Sequence, residues 1–279
     1  MEYVKLFIRL DDRYHDALIA ELLELDFQGF EQRDEHLVAY IKKISFDDKT
    51  RQRMVKLLDG FSSKGNIESE EVFEEQNWNQ KWEATIKARE IGQFFIKPTW
   101  SETEVPHDKI LIEIDPKMAF GTGYHETTRL MLQKLPEIIE TGDEVLDAGT
   151  GTGILSIAAL KLGAATAFGF DIDEWSFSNA HENATLNGVI DRFTIKSGSV
   201  ETLEAGKKYD VILANINRNV IADLLDVFIE HLKENGKMLL SGLMSNDRSY
   251  ILNQTGMKNL SLVDESRENN WIVLSLRKK

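Results

Sequence analysis

The sequence predicts an α/β protein in which a small α+β domain precedes a doubly wound, mainly parallel sheet of seven strands. Its 279 residues are enough for two ordinary domains. Short strands surround two helices in the first 75 residues. From about residue 125, helices alternate with strands, which is typical of a parallel sheet covered on both faces. We therefore predict domains over residues 1–75 and 93–279, joined by a helical linker over 76–92.

The first 75 residues have the periodicities of four strands and two helices. Residues 3–10 alternate apolar and polar side chains, as a half-buried strand does, and apolar residues recur at helical spacing over 14–25. Further strands are predicted over 27–33, 37–44 and 66–73, and a second helix over 47–58. The order β-α-β-β-α-β is typical of a ferredoxin-like domain.

The linker is predicted to form a helix over residues 76–89. Trp78 and Trp82 lie four residues apart in it, so one helix face would carry both rings. Two tryptophans at this spacing favour packing against a neighbouring element over ligand binding.

The larger domain begins with two short strands near residues 94–96 and 111–114, followed by a helix from about residue 125. Five strands then alternate with helices, and two closing strands complete the sheet. The seven strands are predicted near 144–147, 166–170, 192–196, 209–214, 237–241, 260–264 and 271–276.

Composition and charge narrow the possible functions. The chain has no cysteine and its six histidines are scattered, so we predict no bound metal. The net charge of −14 disfavours direct, sequence-specific nucleic-acid binding and suits a basic macromolecular partner. No apolar run approaches the ~18 residues needed to cross a bilayer, and the start lacks the layout of a signal peptide. We expect a cytoplasmic monomer with no membrane partner.

A glycine-rich turn follows the first strand of the large sheet. Asp147 precedes Gly149, Gly151 and Gly153, and glycines let the backbone turn tightly and approach a ligand closely. The next helix would present free N–H groups at its start. Asp171 ends the second strand, where a ribose diol is held in such sheets. These features predict a nucleoside-cofactor site with contacts at Gly149, Gly151 and Asp171.

The spacing of the glycines distinguishes between cofactors. The dinucleotide pattern Gly-x-Gly-x-x-Gly would need its third glycine at Ile154 or Ser156, so it does not fit. The chain has Asp-x-Gly-x-Gly-x-Gly instead. A carboxylate at Asp147 would repel a pyrophosphate but suits a ligand with an ammonium and a sulfonium. We therefore predict S-adenosylmethionine as the cofactor, with Asp147 among its contacts.

Other segments should meet the turn at the carboxyl ends of the parallel strands. Ile172 could pack on the adenine face, and Ser199 lies where the adenine edge would be read. Asn215 ends the fourth strand, at the expected point of transfer. Desolvation would help an acceptor amine to lose its proton, and the side-chain oxygen of Asn215 could orient the N–H bonds. We predict Asn215 as the catalytic residue; the alternative is a turn residue at a strand end.

A second glycine-containing loop precedes the first helix of the large domain. Residues 115–128 read Asp-Pro-Lys-Met-Ala-Phe-Gly-Thr-Gly-Tyr-His-Glu-Thr-Thr. Its hydroxyls and Phe120 are predicted to close over the cofactor as a lid. His125 has no ligand partner nearby in sequence, so we interpret it as a hydrogen-bonding loop residue.

On these motifs the chain resembles the ribosomal protein L-eleven methyltransferases. The resemblance covers essentially the whole chain, and the loop pattern Asp-Pro-x-x-Ala-Phe-Gly-Thr-Gly-x-His-x-Thr-Thr is its most specific part. It implies a class I methyltransferase fold with a ferredoxin-like domain that grips the ribosomal protein. It also implies methylation of lysine ε-amino groups and, in some members, of the α-amino group.

The resemblance also implies site residues. It places cofactor contacts at Thr128, Gly149, Asp171 and Asn215, with Phe120 and Thr122 in the matching loop. Two segments depart from the family pattern. Tyr124 and Glu126 stand where threonine and proline are frequent, and residues 217–220 read Asn-Arg-Asn-Val where Leu-Ala-Gly-Pro is common. The departures therefore concern the loops that would face the target.

Two other functions stay open at the level of sequence. A methyltransferase acting on RNA or on a glutamine side chain commonly has Asn-Pro-Pro-aromatic at the position of Asn215, and this chain has neither proline nor an aromatic residue there. A ribosome-assembly adaptor that only binds S-adenosylmethionine would keep the cofactor site and lose the transfer position.

Overall fold

A computed structural model describes residues 2–33, 35–61, 65–74, 86–117, 119–256 and 259–279. The chain divides into two compact units, Met1–Trp78 and Asn79–Lys279. Each is built around a sheet of its own.

The first unit is an antiparallel sheet with two helices. Its strands are β1 (Glu2–Arg9), β2 (Phe27–Arg33), β3 (His36–Lys42) and β4 (Asn66–Glu74), and its helices are α1 (His15–Leu23) and α2 (Asp48–Gly60). The strand order is β2-β3-β1-β4, and every neighbouring pair is antiparallel. Val4, Leu6 and Ile8 alternate into the core beneath both helices. The ferredoxin-like prediction is confirmed.

Most of the predicted helical linker, including Trp78 and Trp82, lies outside the described residues. Its described part differs from the prediction, because Arg89–Ile91 forms a short strand, β5, that pairs antiparallel with β6 (Phe94–Lys97). Strand β7 (Ile110–Glu113) pairs parallel with β6 and completes a small three-stranded sheet. The pairing with β6 overrides the weak local preference of these three residues.

The large sheet has seven strands, as the sequence predicts. They are β8 (Glu144–Ala148), β9 (Thr166–Asp171), β10 (Phe193–Ser197), β11 (Tyr209–Asn215), β12 (Leu232–Met244), β13 (Leu260–Glu268) and β14 (Trp271–Lys278). Their order is β10-β9-β8-β11-β12-β14-β13. The first five strands are parallel, and β14 is antiparallel to both of its neighbours. The strand order reverses between β8 and β11, which opens a crevice at their carboxyl ends.

Helices cover both faces of this sheet. They are α3 (Glu126–Ile138), α4 (Ile154–Lys161), α5 (Glu174–Leu186), α6 (Arg218–Glu230) and α7 (Arg248–Gly256). One apolar cluster packs α3 and α4 against the sheet, and a second packs α6 and α7 against its other face. Within the described ranges, no helix is long and apolar enough to cross a membrane.

Candidate cofactor and methyl-transfer site

The glycine turn after β8 has a geometry that only glycine tolerates well. Gly149 and Gly151 have φ angles of +70° and +54°. A Cβ on Gly149 would lie 2.4 Å from Cγ2 of Ile216, and one on Gly151 would lie 2.2 Å from the carbonyl oxygen of Phe120. The segments at Ile216 and Phe120 therefore pack directly against the turn. A side chain at Gly149 or Gly151 would push these segments away from it.

Asp147 lies beneath this turn and is not part of the cavity wall. Its side chain is buried, and its Oδ2 accepts hydrogen bonds from the hydroxyls of Thr150 and Ser156, both at 2.8 Å. Burial raises the pKa of Asp147 to about 6 in spite of these hydrogen bonds. Its Oδ1 is buried and has no hydrogen-bond partner among the described residues. The contact of Asp147 with a cationic ligand therefore stays a prediction, and Oδ2 binds the hydroxyls of the turn and of α4.

Asp171 lies at the end of β9, and each of its two carboxylate oxygens accepts a hydrogen bond from a backbone N–H group. Oδ2 accepts from the N–H of Gly151 at 2.9 Å, and Oδ1 accepts from the N–H of Asp173 at 3.0 Å. Each carboxylate oxygen can accept a further hydrogen bond, so the group can hold a diol while it fixes the turn. Asp173 caps α5 through the N–H groups of Trp175 and Ser176.

The loop before α3 is attached to the glycine turn. The N–H of Thr152 donates to the carbonyl of Phe120 at 2.8 Å, and its hydroxyl donates to the carbonyl of Gly121 at 2.6 Å. This places the Phe120 side chain, which is 54% exposed, at the edge of the crevice. The loop predicted as a lid is thus anchored at one end.

These segments surround a cavity of about 410 Å³ at the carboxyl ends of the parallel strands. Its size lies in the range of small-molecule sites. Seven of the residues predicted from sequence line it, and they come from five separate segments: Phe120, Gly149, Gly151, Asp171, Ile172, Ser199 and Asn215. The crevice at the switch in strand order is therefore where the predicted residues converge.

Three predicted residues do not line this cavity. Besides Asp147, these are Thr128 and Thr122. Thr128 is buried in the first turn of α3, and its hydroxyl oxygen lies 3.5 Å from Nδ2 of Asn215, so it contacts the site through that residue. Thr122 lines a neighbouring cavity of about 440 Å³ formed by residues 119–126. The hydroxyl of Thr122 also accepts from the N–H of Tyr124 at 3.3 Å.

Asn215 lines the cavity at the end of β11. Its Nδ2 lies 3.5 Å from the hydroxyl oxygen of Thr128, and its Oδ1 is buried and has no hydrogen-bond partner among the described residues. A buried acceptor without a partner is costly, so the position is suited to a ligand that brings an N–H or O–H group.

The sequence did not identify an aromatic wall beside Asn215. The imidazole of His125 lies between two rings, with centroids 5.4 Å from Phe120 and 4.8 Å from Trp271. His125 also caps α3, where its Nδ1 lies 2.8 Å from the hydroxyl of Thr127 and accepts from the N–H of Thr127 at 3.3 Å. Its predicted role as a hydrogen-bonding loop residue agrees with these contacts. Trp271 begins β14, far along the chain, and no local pattern marks it.

Further wall residues come from the segment after β11. Ile216, Asn217, Val220 and Leu224 line the cavity, and Gly242 of β12 faces it. A Cβ on Gly242 would lie 2.2 Å from the carbonyl oxygen of Ile216. The departure from the family pattern at 217–220 therefore lies in the wall itself. Among the side chains that the structure describes, no group of three or more is arranged to bind a metal ion.

The strand order, the anchored glycine turn and the acid and amide at two strand ends define a class I methyltransferase domain. Comparison with known proteins agrees. The family model "Ribosomal protein L11 methyltransferase (PrmA)" matches residues 10–279. The chain therefore belongs to the ribosomal protein L11 methyltransferase family.

Individual relatives bear this out. A protein of that name from Porphyromonas gingivalis is 36% identical over 264 residues, which is 93% of this chain and 89% of the relative. One from Chlorobaculum parvum is 34% identical over 99% of this chain and 97% of its own length. A crystal structure of a ribosomal protein L11 methylase from Lactobacillus delbrueckii subsp. bulgaricus superimposes with a TM-score of 0.64. It is 32% identical and covers 69% of this chain and 100% of its own.

Proposed function

We propose that this protein uses S-adenosylmethionine to methylate amino groups of ribosomal protein L11, namely lysine ε-amino groups, with the N-terminal α-amino group as a second candidate acceptor. Membership in the family and the printed names of the relatives support the substrate. A ribosomal substrate also implies that the protein acts in the cytoplasm, and we propose that it acts as a monomer.

The single observation that supports transfer to an amine is the orphan Oδ1 of Asn215. It is a neutral acceptor, buried at the cavity wall. An amine nucleophile has N–H bonds to donate and a lone pair to aim, so one fixed acceptor both binds and orients it. Methyltransferases that act on a planar base or amide commonly have Asn-Pro-Pro-aromatic at this position, and neither Ile216 nor Asn217 is proline or aromatic.

The proposed cofactor contacts divide by chemistry. The carboxylate of Asp171 would receive the ribose hydroxyls, and Ile172 and Ser199 would contact the adenine. Ile172 is 80% exposed, so its side chain is accessible to a ring of the cofactor. Gly149 and Gly151 line the cavity with bare backbone, against which the rest of the cofactor would lie, and Phe120 would lie at its edge.

Methyl transfer needs little from the protein beyond alignment. When bound, S-adenosylmethionine supplies a methyl group that its sulfonium has already activated. The rings of Phe120, His125 and Trp271 lie together at the cavity wall and would shield one side of the acceptor amine from water. Desolvation favours the neutral amine, which is the nucleophilic form. Asn215 then holds an N–H bond while the lone pair faces the methyl carbon, so the N–C bond forms as the C–S bond breaks.

The first unit is proposed to recognise the ribosomal protein. The whole chain is strongly acidic, and an acidic surface accelerates the arrival of a basic partner. We propose that residues 1–75 bind the substrate, that residues 76–92 connect the two parts and that residues 93–279 carry out the transfer. Shortening the linker would then lower methylation of the ribosomal protein without lowering cofactor affinity.

The test is to incubate the protein with radiolabelled S-adenosylmethionine and purified large-subunit components. We expect label in L11 alone, with mass spectrometry placing it on lysines or the α-amino group. Label in RNA or on a glutamine would contradict the proposed acceptor. Tight cofactor binding with no label in any ribosomal component would instead identify a non-enzymatic adaptor. An inactive Asn215→Ala variant is the control for contaminating activity.

A further inference from the structure

Tyr124 connects the loop before α3 to a segment outside the cavity. The N–H of Lys87 donates to Oη of Tyr124 at 2.6 Å, and Oη in turn lies 3.3 Å from the carbonyl oxygen of Lys87. One hydroxyl therefore binds both backbone groups of a residue 37 positions earlier. This arrangement holds the phenol in one orientation and ties the loop to the strand-forming segment at residues 87–91.

A second contact fixes the tyrosine ring. The guanidinium carbon of Arg89 lies 3.3 Å from the ring centroid of Tyr124, which is a close cation–π contact. Nη1 of Arg89 also donates to the carbonyl of Gly123 at 3.3 Å. Arg89 belongs to β5, whose partner β6 is part of the small sheet. The ring is thus held by an element with its own fixed pairing.

The backbone of Tyr124 is also held, by a residue of α3. Arg129, in the second turn of α3, donates to the carbonyl of Tyr124. The guanidinium of Arg129 is fixed by the carboxylate of Glu268, with Nε at 3.0 and 3.2 Å from its two oxygens. Tyr124 therefore lies between two arginines from separate parts of the fold, each with independent support.

Tyr124 lies directly before His125, which lines the cavity, and the loop between Phe120 and Tyr124 needs two anchors. Gly121 and Gly123 have φ angles of +105° and +79°, and glycines lose the most conformational entropy when a chain is ordered. At one end, Thr152 binds the carbonyls of Phe120 and Gly121. At the other end, Tyr124 supplies the attachment.

We propose that Tyr124 is a positioning residue that holds Phe120 and His125 in place around the cofactor through its contacts with Lys87 and Arg89. This rests on the proposed use of the cavity for the cofactor and its acceptor. Tyr124 does not line that cavity, so it acts through the loop.

Its effect should appear in binding rather than in stability. The hydrogen bond between Lys87 and Tyr124 is exposed, so water can replace it in the folded protein at little cost. What is lost is the preorganisation of the loop, and a ligand must then order the loop when it binds. A merely structural role would lower the melting temperature in proportion to the loss of affinity.

The experiment compares Tyr124→Phe, which keeps the ring over Arg89 and removes only Oη, with Tyr124→Ala, which removes both contacts. The matched control is Tyr14→Phe, in which a tyrosine of the first unit also lies against an arginine, with Cζ of Arg13 at 5.7 Å from its ring. S-adenosylhomocysteine is the probe, titrated by calorimetry, and the melting temperature is measured on the same samples.

We expect the Kd of S-adenosylhomocysteine to rise about threefold in Tyr124→Phe and about tenfold in Tyr124→Ala. The melting temperatures of both should stay within about 2 °C of the parent, and the control should match the parent in both measurements. An unchanged Kd in Tyr124→Ala overturns the proposal, and so does a melting temperature that falls with the affinity. Because the probe needs no acceptor, failure to methylate L11 would leave this result standing and refute only the proposed substrate.

Discussion

The carboxylate of Asp171 accepts a hydrogen bond from the backbone N–H of Gly151 at 2.9 Å. The side chain proposed to bind the ribose therefore also fixes the glycine turn that borders the same cavity. The Asp171 carboxylate would therefore serve both to bind the cofactor and to shape the site that holds it.

Replacement of Asp171 by alanine should weaken cofactor binding by about 1–3 kcal/mol, the worth of a hydrogen bond to a charged group. Calorimetric titration with S-adenosylhomocysteine measures this change in binding free energy. Asp173→Ala is the matched control, because it removes an acid two residues away that only caps α5. The control should lose about 1 kcal/mol of stability and keep its affinity. Equal affinities in the parent and Asp171→Ala would show that the ribose is held elsewhere.

Asp147 should make stability depend on pH. Its pKa in the folded protein is raised by burial to about 6, from an ordinary value of 3.8. The folded state therefore holds the proton more tightly than the unfolded chain does. The resulting stabilisation is full below the ordinary pKa and is lost as the pH rises through 6. Asp147→Asn lacks this titration and keeps a side chain of the same shape.

Urea unfolding at pH 5 and pH 8 tests this. The free energy of unfolding of the parent, relative to Asp147→Asn, should fall by about 1.4 kcal/mol between the two pH values. Burial also raises the pKa of Asp143, but Asp143 is present in both proteins, so its titration cancels in this difference. Parallel pH profiles for the parent and Asp147→Asn would contradict a raised pKa at this position.

The order of helices and strands could be predicted because it rests on local periodicity. The alternation in residues 3–10 places Val4, Leu6 and Ile8 in the core, and the runs before and after the glycine turn form β8 and α4. Two elements differ. Strand β5 has only three residues, too few for a pattern. Strand β12 begins at Leu232, before the predicted residue 237, because Leu232 pairs with Tyr209.

The candidate site could be predicted where a strand end or a glycine marks it. Asp171 ends β9 and Asn215 ends β11, the strands on either side of β8, so topology brings both to the same edge of the sheet. Trp271 reaches the cavity because β14 pairs beside β12, and Ile216 because it fits against Gly149. Such contacts depend on packing between distant segments. The charge argument for Asp147 could not include the hydroxyls of Thr150 and Ser156, which bind its Oδ2.

The contact between Gly149 and Ile216 should make Gly149 sensitive to any side chain. In Gly149→Ala the new Cβ would lie 2.4 Å from Cγ2 of Ile216, and φ is +70°. Gly142→Ala is the matched control, because φ there is +95° and nothing lies within 4 Å of the new Cβ. The control should show only the backbone strain, about 1–2 kcal/mol. Gly149→Ala should lose more in denaturant unfolding and should bind cofactor weakly.

The double variant Gly149→Ala, Ile216→Ala separates the two causes. Removing Cγ2 of Ile216 should restore part of the stability lost in Gly149→Ala, to near the value of the Gly142 control. Strictly additive free energies would show that the two residues do not interact.

Asn215 provides the test of the transfer step. In Asn215→Ala the buried acceptor Oδ1 is lost together with Nδ2, which faces Thr128. We expect kcat to fall about 100-fold, the usual loss when one fixed polar group at a reacting centre is removed. The Kd of S-adenosylhomocysteine should rise by no more than about threefold, since the group faces the acceptor. Thr128→Val leaves Oδ1 in the protein and removes the hydroxyl next to Nδ2, so we expect it to lower kcat less than Asn215→Ala does. A fall in cofactor affinity as large as the fall in kcat would assign Asn215 to cofactor binding and leave the amine to be oriented by another group.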